Sequence, residues 1–421
     1  MRAQYQKVAL SNGATLVMER NSHFRSCSVG VWVKVGSGAE PRSLNGVSHF
    51  LEHMVFKGTA KRGSLEVATV LESLGGDLNA FTDREVTCYH ATVLSEHLPI
   101  ALDVLSDLTL NPTFPKEELA LEKKVLLQEL LMIEESPDDK IYDLFFRNIW
   151  KDQPLGQSVI GSKRTIESFN RKTAVKFFEQ YYHPKNMVIS IAGNFEEEKV
   201  IADCEKLFSA KGRKWEPISI KQKTKYIPVH KKATVPTDQL HLIVGFDGLS
   251  IHDPAKFDSV VLNFYLGGGM SSRLFQEIRE KAGLAYTVDC DFIPFTGNGV
   301  CAIYLALKPN SLSRCVEILS REIAQVAKHP ISSKTLEMVK NQIKGSVILS
   351  SESTETRQES LGRNEISFGR RITIEEIVRE IDKVSAESIQ RVAQRLFVPE
   401  KESVITLSRV KPKKGKVSLF V

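Results

Sequence analysis

The stretch from Cys27 to His53, CSVGVWVKVGSGAEPRSLNGVSHFLEH, decides how this chain folds. Val29, Val31, Val33 and Val35 alternate with Gly30, Trp32 and Lys34, a period of two that predicts a β-strand. A helix follows, its start near Ser43–Ser48. On that helix His49, Glu52 and His53 stand three and four apart, so all three project to one side. Neutral imidazole is the commonest metal-binding side chain. Zinc favours nitrogen and oxygen donors and keeps one position for water where it is catalytic. A carboxylate beside that water is placed to take its proton. The bland alternative is a pair of helix-surface histidines with no ligand.

Outward from this stretch, Ala14–Met18 predicts a strand and Ser64–Leu74 a helix stopped by Gly75-Gly76. Val86–Leu94 predicts a strand, Ser95–Leu110 a helix, Pro115 to about Glu135 a long helix, and Val188–Ala192 a strand. The second half repeats the order. It has strand His241–Phe246, helices Pro254–Leu266 and Ser271–Lys281, and strands Leu284–Phe292 and Val300–Leu307. Helices near Leu312–Lys328 and Ser333–Ser350 and a closing strand Ser403–Val410 complete it. Between the halves, Lys211–Pro236 holds Pro217, Pro228 and Pro236 without an apolar period and reads as a linker. The expected class is α+β: two homologous domains, 1–210 and 237–421, each an antiparallel-rich sheet flanked by helices and joined by 211–236. Only the first carries the histidine motif.

A length of 421 residues suits two domains of about 200 residues each. The net charge of +6 is small for this size, and its basic clusters, Lys211–Lys232 and Lys411–Lys416, read as solvated surface. No nucleic-acid module accompanies them. No apolar run reaches the ~20 residues that span a bilayer. Met1–Val17 lacks the apolar segment of a secretory signal. Cys27, Cys88, Cys204, Cys290, Cys301 and Cys315 show no CxxC spacing; they predict buried thiols in a reducing compartment, the cytoplasm. Gly267-Gly268-Gly269 lacks the Lys-Ser/Thr ending of a phosphate-binding loop.

Four segments carry the reading further: HFLEHMVFKGT (His49–Thr59), LGGDLNAFT (Leu74–Thr82), YHPKNM (Tyr182–Met187) and LGGGMSSRLFQEIR (Leu266–Arg279). HxxEH is itself a zinc-peptidase signature. In this order, the set resembles the pitrilysin/insulinase family of zinc peptidases. The short chain looks like the mitochondrial processing peptidase branch and its bacterial relatives. The resemblance implies paired domains forming a clam-shell chamber, one zinc ion per chain, and hydrolysis of peptides or unfolded segments. It makes His49 and His53 ligands and Glu52 the general base. The third ligand is implied to be Glu129, 76 residues after the second histidine, with Glu122 supporting the site. Without the resemblance, Glu118, Glu122 and Glu129 read as a solvated acidic stripe.

Asn79-Ala80 matches the family's substrate-binding segment, an edge strand that pairs with extended peptide; otherwise it is turn chemistry after Gly75-Gly76. Phe81 is either a contact there or core. Arg279 and Tyr286, seven apart, resemble the family's pair that reaches the substrate carbonyl. In a two-domain chain the facing domain comes from another subunit, so a homodimer is expected, with this pair acting in trans. The rival functions are a non-catalytic scaffold and a catalytic subunit that needs a different partner chain.

Overall fold

The strands and helices assemble around two sheets, giving the expected α+β class. The computed structural model describes residues 4–209, 224–409 and 417–420. Its strands are β1 (Gln4–Ala9), β2 (Thr15–Arg20), β3 (Ser26–Val33), β4 (Asp77–Thr82), β5 (Thr87–Leu94), β6 (Met187–Gly193), β7 (His230–Thr234), β8 (Leu240–Asp247), β9 (Ala285–Pro294), β10 (Gly299–Leu307) and β11 (Ser403–Ser408). The helices of the first half are α1 (Val47–Val55), α2 (Ser64–Glu72), α3 (Leu98–Leu110), α4 (Lys116–Glu135), α5 (Pro137–Ile149), α6 (Lys163–Ser168), α7 (Arg171–Tyr181) and α8 (Glu197–Leu207). Those of the second are α9 (Lys256–Gly267), α10 (Leu312–Lys328), α11 (Ser333–Ser350), α12 (Thr354–Phe368), α13 (Ile374–Lys383) and α14 (Ala386–Leu396).

The sheets run β1-β2-β6-β3-β5-β4 and β7-β11-β8-β10-β9. Each holds one parallel pair, β2 with β6 and β7 with β11, and is otherwise antiparallel. Matching β2, β6, β3, β5 and β4 to β7, β11, β8, β10 and β9 superposes order and direction strand for strand. The repeat read in the sequence is thus a repeat of topology.

Two compact units form, and their limits differ from the contiguous 1–210 and 237–421. Among described residues, one comprises 4–131, 157–209 and 349–372, and the other 132–156, 224–348, 373–409 and 417–420. Each half thus contributes a helix to the other's sheet. Helix α5 buries Ile141, Phe145, Phe146 and Ile149 with Ile243, Ile405 and Leu407 of the second sheet. Helix α12 places Leu361 with Trp32, Val17 and Val188 of the first. The close approach of α12 requires Gly362, where a Cβ would stand 2.1 Å from the Trp32 indole nitrogen. This covering explains why Trp32 is buried although it alternates with the valines that face the main core.

The expected linker 211–236 also needs correction, because His230–Thr234 is strand β7. Its earlier residues, 211–223, and the basic tail Lys411–Lys416 lie outside the described residues. The helix expected over Ser271–Lys281 contains a π-helical turn, Phe275–Glu280. All six cysteines are free and buried. Among the described residues no helix is long and apolar enough to cross a membrane.

Candidate metal centre

Helix α1 is anchored at its start by a carboxylate that the motif does not include. Gly46 takes a left-handed φ of +93° ahead of the first turn. The buried Glu40 accepts hydrogen bonds from Gly46 N at 2.6 Å, Ser48 N at 2.7 Å and Asn45 Nδ2 at 2.9 Å. A helix start presents free N–H groups and partial positive charge, so an acid there is favoured. Burial nonetheless pushes the Glu40 carboxyl up to about 7. Phe50, Leu51, Met54 and Val55 then bury one side of α1 in the core, leaving His49, Glu52 and His53 for another.

Helix α4 crosses this side. Leu119, Glu122 and Leu126 are its buried positions, and the same helix brings Glu129 to the histidines. His49 Nε2 lies 3.5 Å from Glu129 Oε1, and His53 Nε2 lies 3.6 Å from Glu129 Oε2. The imidazole centroids are 4.7 Å apart. One ligand atom from each of the three residues falls within 4.8 Å of the others, the one such trio among the described residues. Two donors on a tetrahedral zinc at about 2.0–2.1 Å stand roughly 3.4 Å apart. The observed spacings and the N,N,O donor set therefore fit zinc.

Behind the trio, Glu122 Oε1 meets His53 Nδ1 at 2.7 Å and Oε2 meets Lys57 Nζ at 2.7 Å. A carboxylate on the far nitrogen fixes the ring and leaves Nε2 for metal. Burial opposes ionisation of Glu122, but His53 and Lys57 outweigh it and hold the carboxyl below its ordinary value. His49 is driven down to about 3 by burial and by neighbouring His53, so its ring stays neutral as a ligand must be. Burial also lowers His53, yet Glu122, Glu129 and Glu52 together raise it. Burial raises Glu129 against the pull of His53.

Glu52 is 9% exposed, and its Oε2 accepts the Thr82 hydroxyl at 2.5 Å. Burial raises its carboxyl against that hydrogen bond and His53. Thr82 ends β4, which among the described residues pairs with β5 alone and forms the edge of the first sheet. Asn79-Ala80 is therefore strand, not turn. Ala80 N donates to Asn79 Oδ1 at 2.8 Å. Phe81 packs edge-on against Trp32, its centroid 5.7 Å away.

Arg279 and Tyr286 belong to the other compact unit. The guanidinium lies 4.7 Å from the Phe275 ring centroid and 4.6 Å from that of Tyr286, and donates to the Tyr286 carbonyl at 3.0 Å. Tyr286 is 73% exposed, so this stacked pair presents an aromatic surface. Sequence reasoning missed Glu40, Lys57 and Thr82 as parts of the centre. Lys57 and Thr82 sit inside two of the quoted segments.

The His49–His53–Glu129 cluster has the donor set of a zinc centre. Residues 15–163 match the family model described as insulinase, peptidase family M16, and residues 168–343 match that of the peptidase M16 inactive domain. The chain belongs to this family. It is 38% identical to the uncharacterized zinc protease YmxG of Bacillus subtilis, over 94% of this chain and 96% of that one. It is 36% identical to an uncharacterized zinc protease of Rickettsia bellii, over 96% and 98%. A crystal structure described as a peptidase M16 inactive domain from Pseudomonas fluorescens shares the fold, with TM-score 0.90 and 20% identity over 98% of this chain and all of that one. A protease from Helicobacter pylori does so with TM-score 0.88 and 22% identity, over 97% and 100%.

Proposed function

We propose that the chain is a zinc-dependent metalloendopeptidase that hydrolyses peptides or unfolded segments inside an enclosed chamber. The observation that carries this reading is the convergence of His49, His53 and Glu129 beside a buried Glu52. Zinc held by the three ligands would polarise the scissile carbonyl and bring a water's pKa toward roughly 7. Glu52 takes the proton of that water and later delivers it to the leaving amine. Its raised proton affinity suits both transfers. The free edge of β4 at Asn79 and Ala80 receives an extended peptide as an added strand, which holds the scissile bond in register.

Arg279 and Tyr286 complete the site in trans within a homodimer, stabilising the oxyanion. Their exposure on the unit without the metal motif supports this role. Mixing Glu52→Gln chains with Arg279→Ala chains tests it; activity regained in the hybrid supports trans action, and none regained removes it. Six free, buried thiols suit a cytoplasmic setting. Size exclusion combined with peptide cleavage, with and without chelator, tests the whole reading. A dimer that cleaves until chelated supports it. An inert protein points to a scaffold, and activity only with a second chain points to a partner-dependent subunit of the processing-peptidase kind.

A further inference from the structure

The hydroxyl of Thr82 joins the substrate strand to the base. Thr82 is the last residue of β4, and its Oγ donates to Glu52 Oε2. Successive strand residues point to opposite faces. Leu78 and Ala80 pack with the main core beneath α1, while Phe81 packs with the Trp32 cluster on the other face. Thr82 follows the parity of Leu78 and Ala80 and so meets α1. Its hydroxyl is the hydrogen-bond donor to the Glu52 carboxylate.

The strand end that carries the hydroxyl is itself held by its neighbour. Thr82 pairs with Thr87 across the hairpin, their hydroxyl oxygens 3.4 Å apart. Thr87 is fully buried and donates to the Val35 carbonyl at 2.9 Å. The hairpin is closed by Asp83, whose carboxylate accepts the Glu85 and Val86 N–H groups, each at 2.7 Å. Glu52, on a helix, is thus tied through Oε2 to a hydrogen-bonded corner of the sheet. A glutamate side chain has three rotatable bonds, and an immobilised orientation is what proton transfer at one atom requires.

We propose that Thr82 is a positioning residue that orients Glu52 and links the base to the strand on which peptide is laid. This rests on the reading of Glu52 as general base. Thr82→Val keeps the shape and β-branching but removes the donor; Thr82→Ser keeps the donor. Three measurements test the proposal: steady-state kinetics on a peptide, zinc content, and peptide affinity in a Glu52→Gln background. Losing a hydrogen bond to a charged group predicts a kcat about tenfold to a hundredfold lower in Thr82→Val. KM stays within about twofold and zinc at one per chain, on the scale of that single lost contact. Thr82→Ser stays within about threefold of the parent by the same argument. Adding Thr82→Val to Glu52→Gln leaves peptide affinity unchanged, because the hydroxyl acts through the carboxylate.

A Thr82→Val kcat equal to the parent overturns the proposal, as does a Thr82→Ser as slow as Thr82→Val. Weakened peptide binding in the double variant also overturns it, since the hydroxyl would then serve the strand. Failure of the underlying reading looks different: Glu52→Gln itself would still cleave, and the proposal falls with it.

Discussion

Replacing Glu122 by alanine should weaken zinc binding without removing a ligand. Glu122 is 3% exposed and ties His53 Nδ1 and Lys57 Nζ at 2.7 Å each. Loss of such a support typically costs tenfold to a hundredfold in metal affinity, about 1.4–2.7 kcal/mol. The local arrangement favours the upper end, because removal leaves both an imidazole N–H and a lysine ammonium without their acceptor. Glu122→Gln keeps an acceptor for His53 but loses the charge, and should cost roughly tenfold. Competition with a chromophoric chelator measures the affinity, and Glu117→Ala, at an exposed position of the same helix, serves as the control. Wild-type affinity in Glu122→Ala would refute the claim that this carboxylate orients His53.

His49→Ala and Glu129→Ala should each purify with little zinc by mass spectrometry while keeping the far-ultraviolet circular dichroism of the parent. Gly362→Val should lower stability by about 1–3 kcal/mol, since any Cβ there meets the Trp32 ring, and thermal denaturation reads the loss. Burial holds His241 below its ordinary value against the pull of Asp138, with Nδ1 2.8 Å from the Tyr304 hydroxyl. The unfolded chain therefore binds a proton that the folded chain refuses, and stability falls as pH drops below about 6.5 toward the folded pKa. Urea unfolding at two pH values should show a smaller loss on acidification in His241→Gln than in the parent.

What was legible in the sequence follows from local chemistry. The period-two valines of β3 and the three-and-four spacing of His49, Glu52 and His53 are short-range patterns, and each landed within a residue or two of its element. Glu129 was different: apolar neighbours surround it on α4, and only the matched segments separated it from a solvated stripe. The exchange of α5 and α12 was invisible because an amphipathic helix records that it has an apolar face, not which sheet receives it. Gly362 carried the one local hint, a small residue in a helix where a backbone must approach an indole. β7 was hidden for a related reason. His230-Lys231-Lys232 lacks apolar alternation, and its strand comes from parallel pairing with β11 near the far end of the chain.

In the proposed function, Glu52 performs chemistry on substrate at a centre whose metal it does not hold. Zinc stoichiometry and peptide cleavage measured side by side on Glu52→Gln test it most directly. One zinc per chain, as in the parent, and no detectable hydrolysis are expected. Cleavage at the parental rate, or a variant that has lost its zinc, would contradict it.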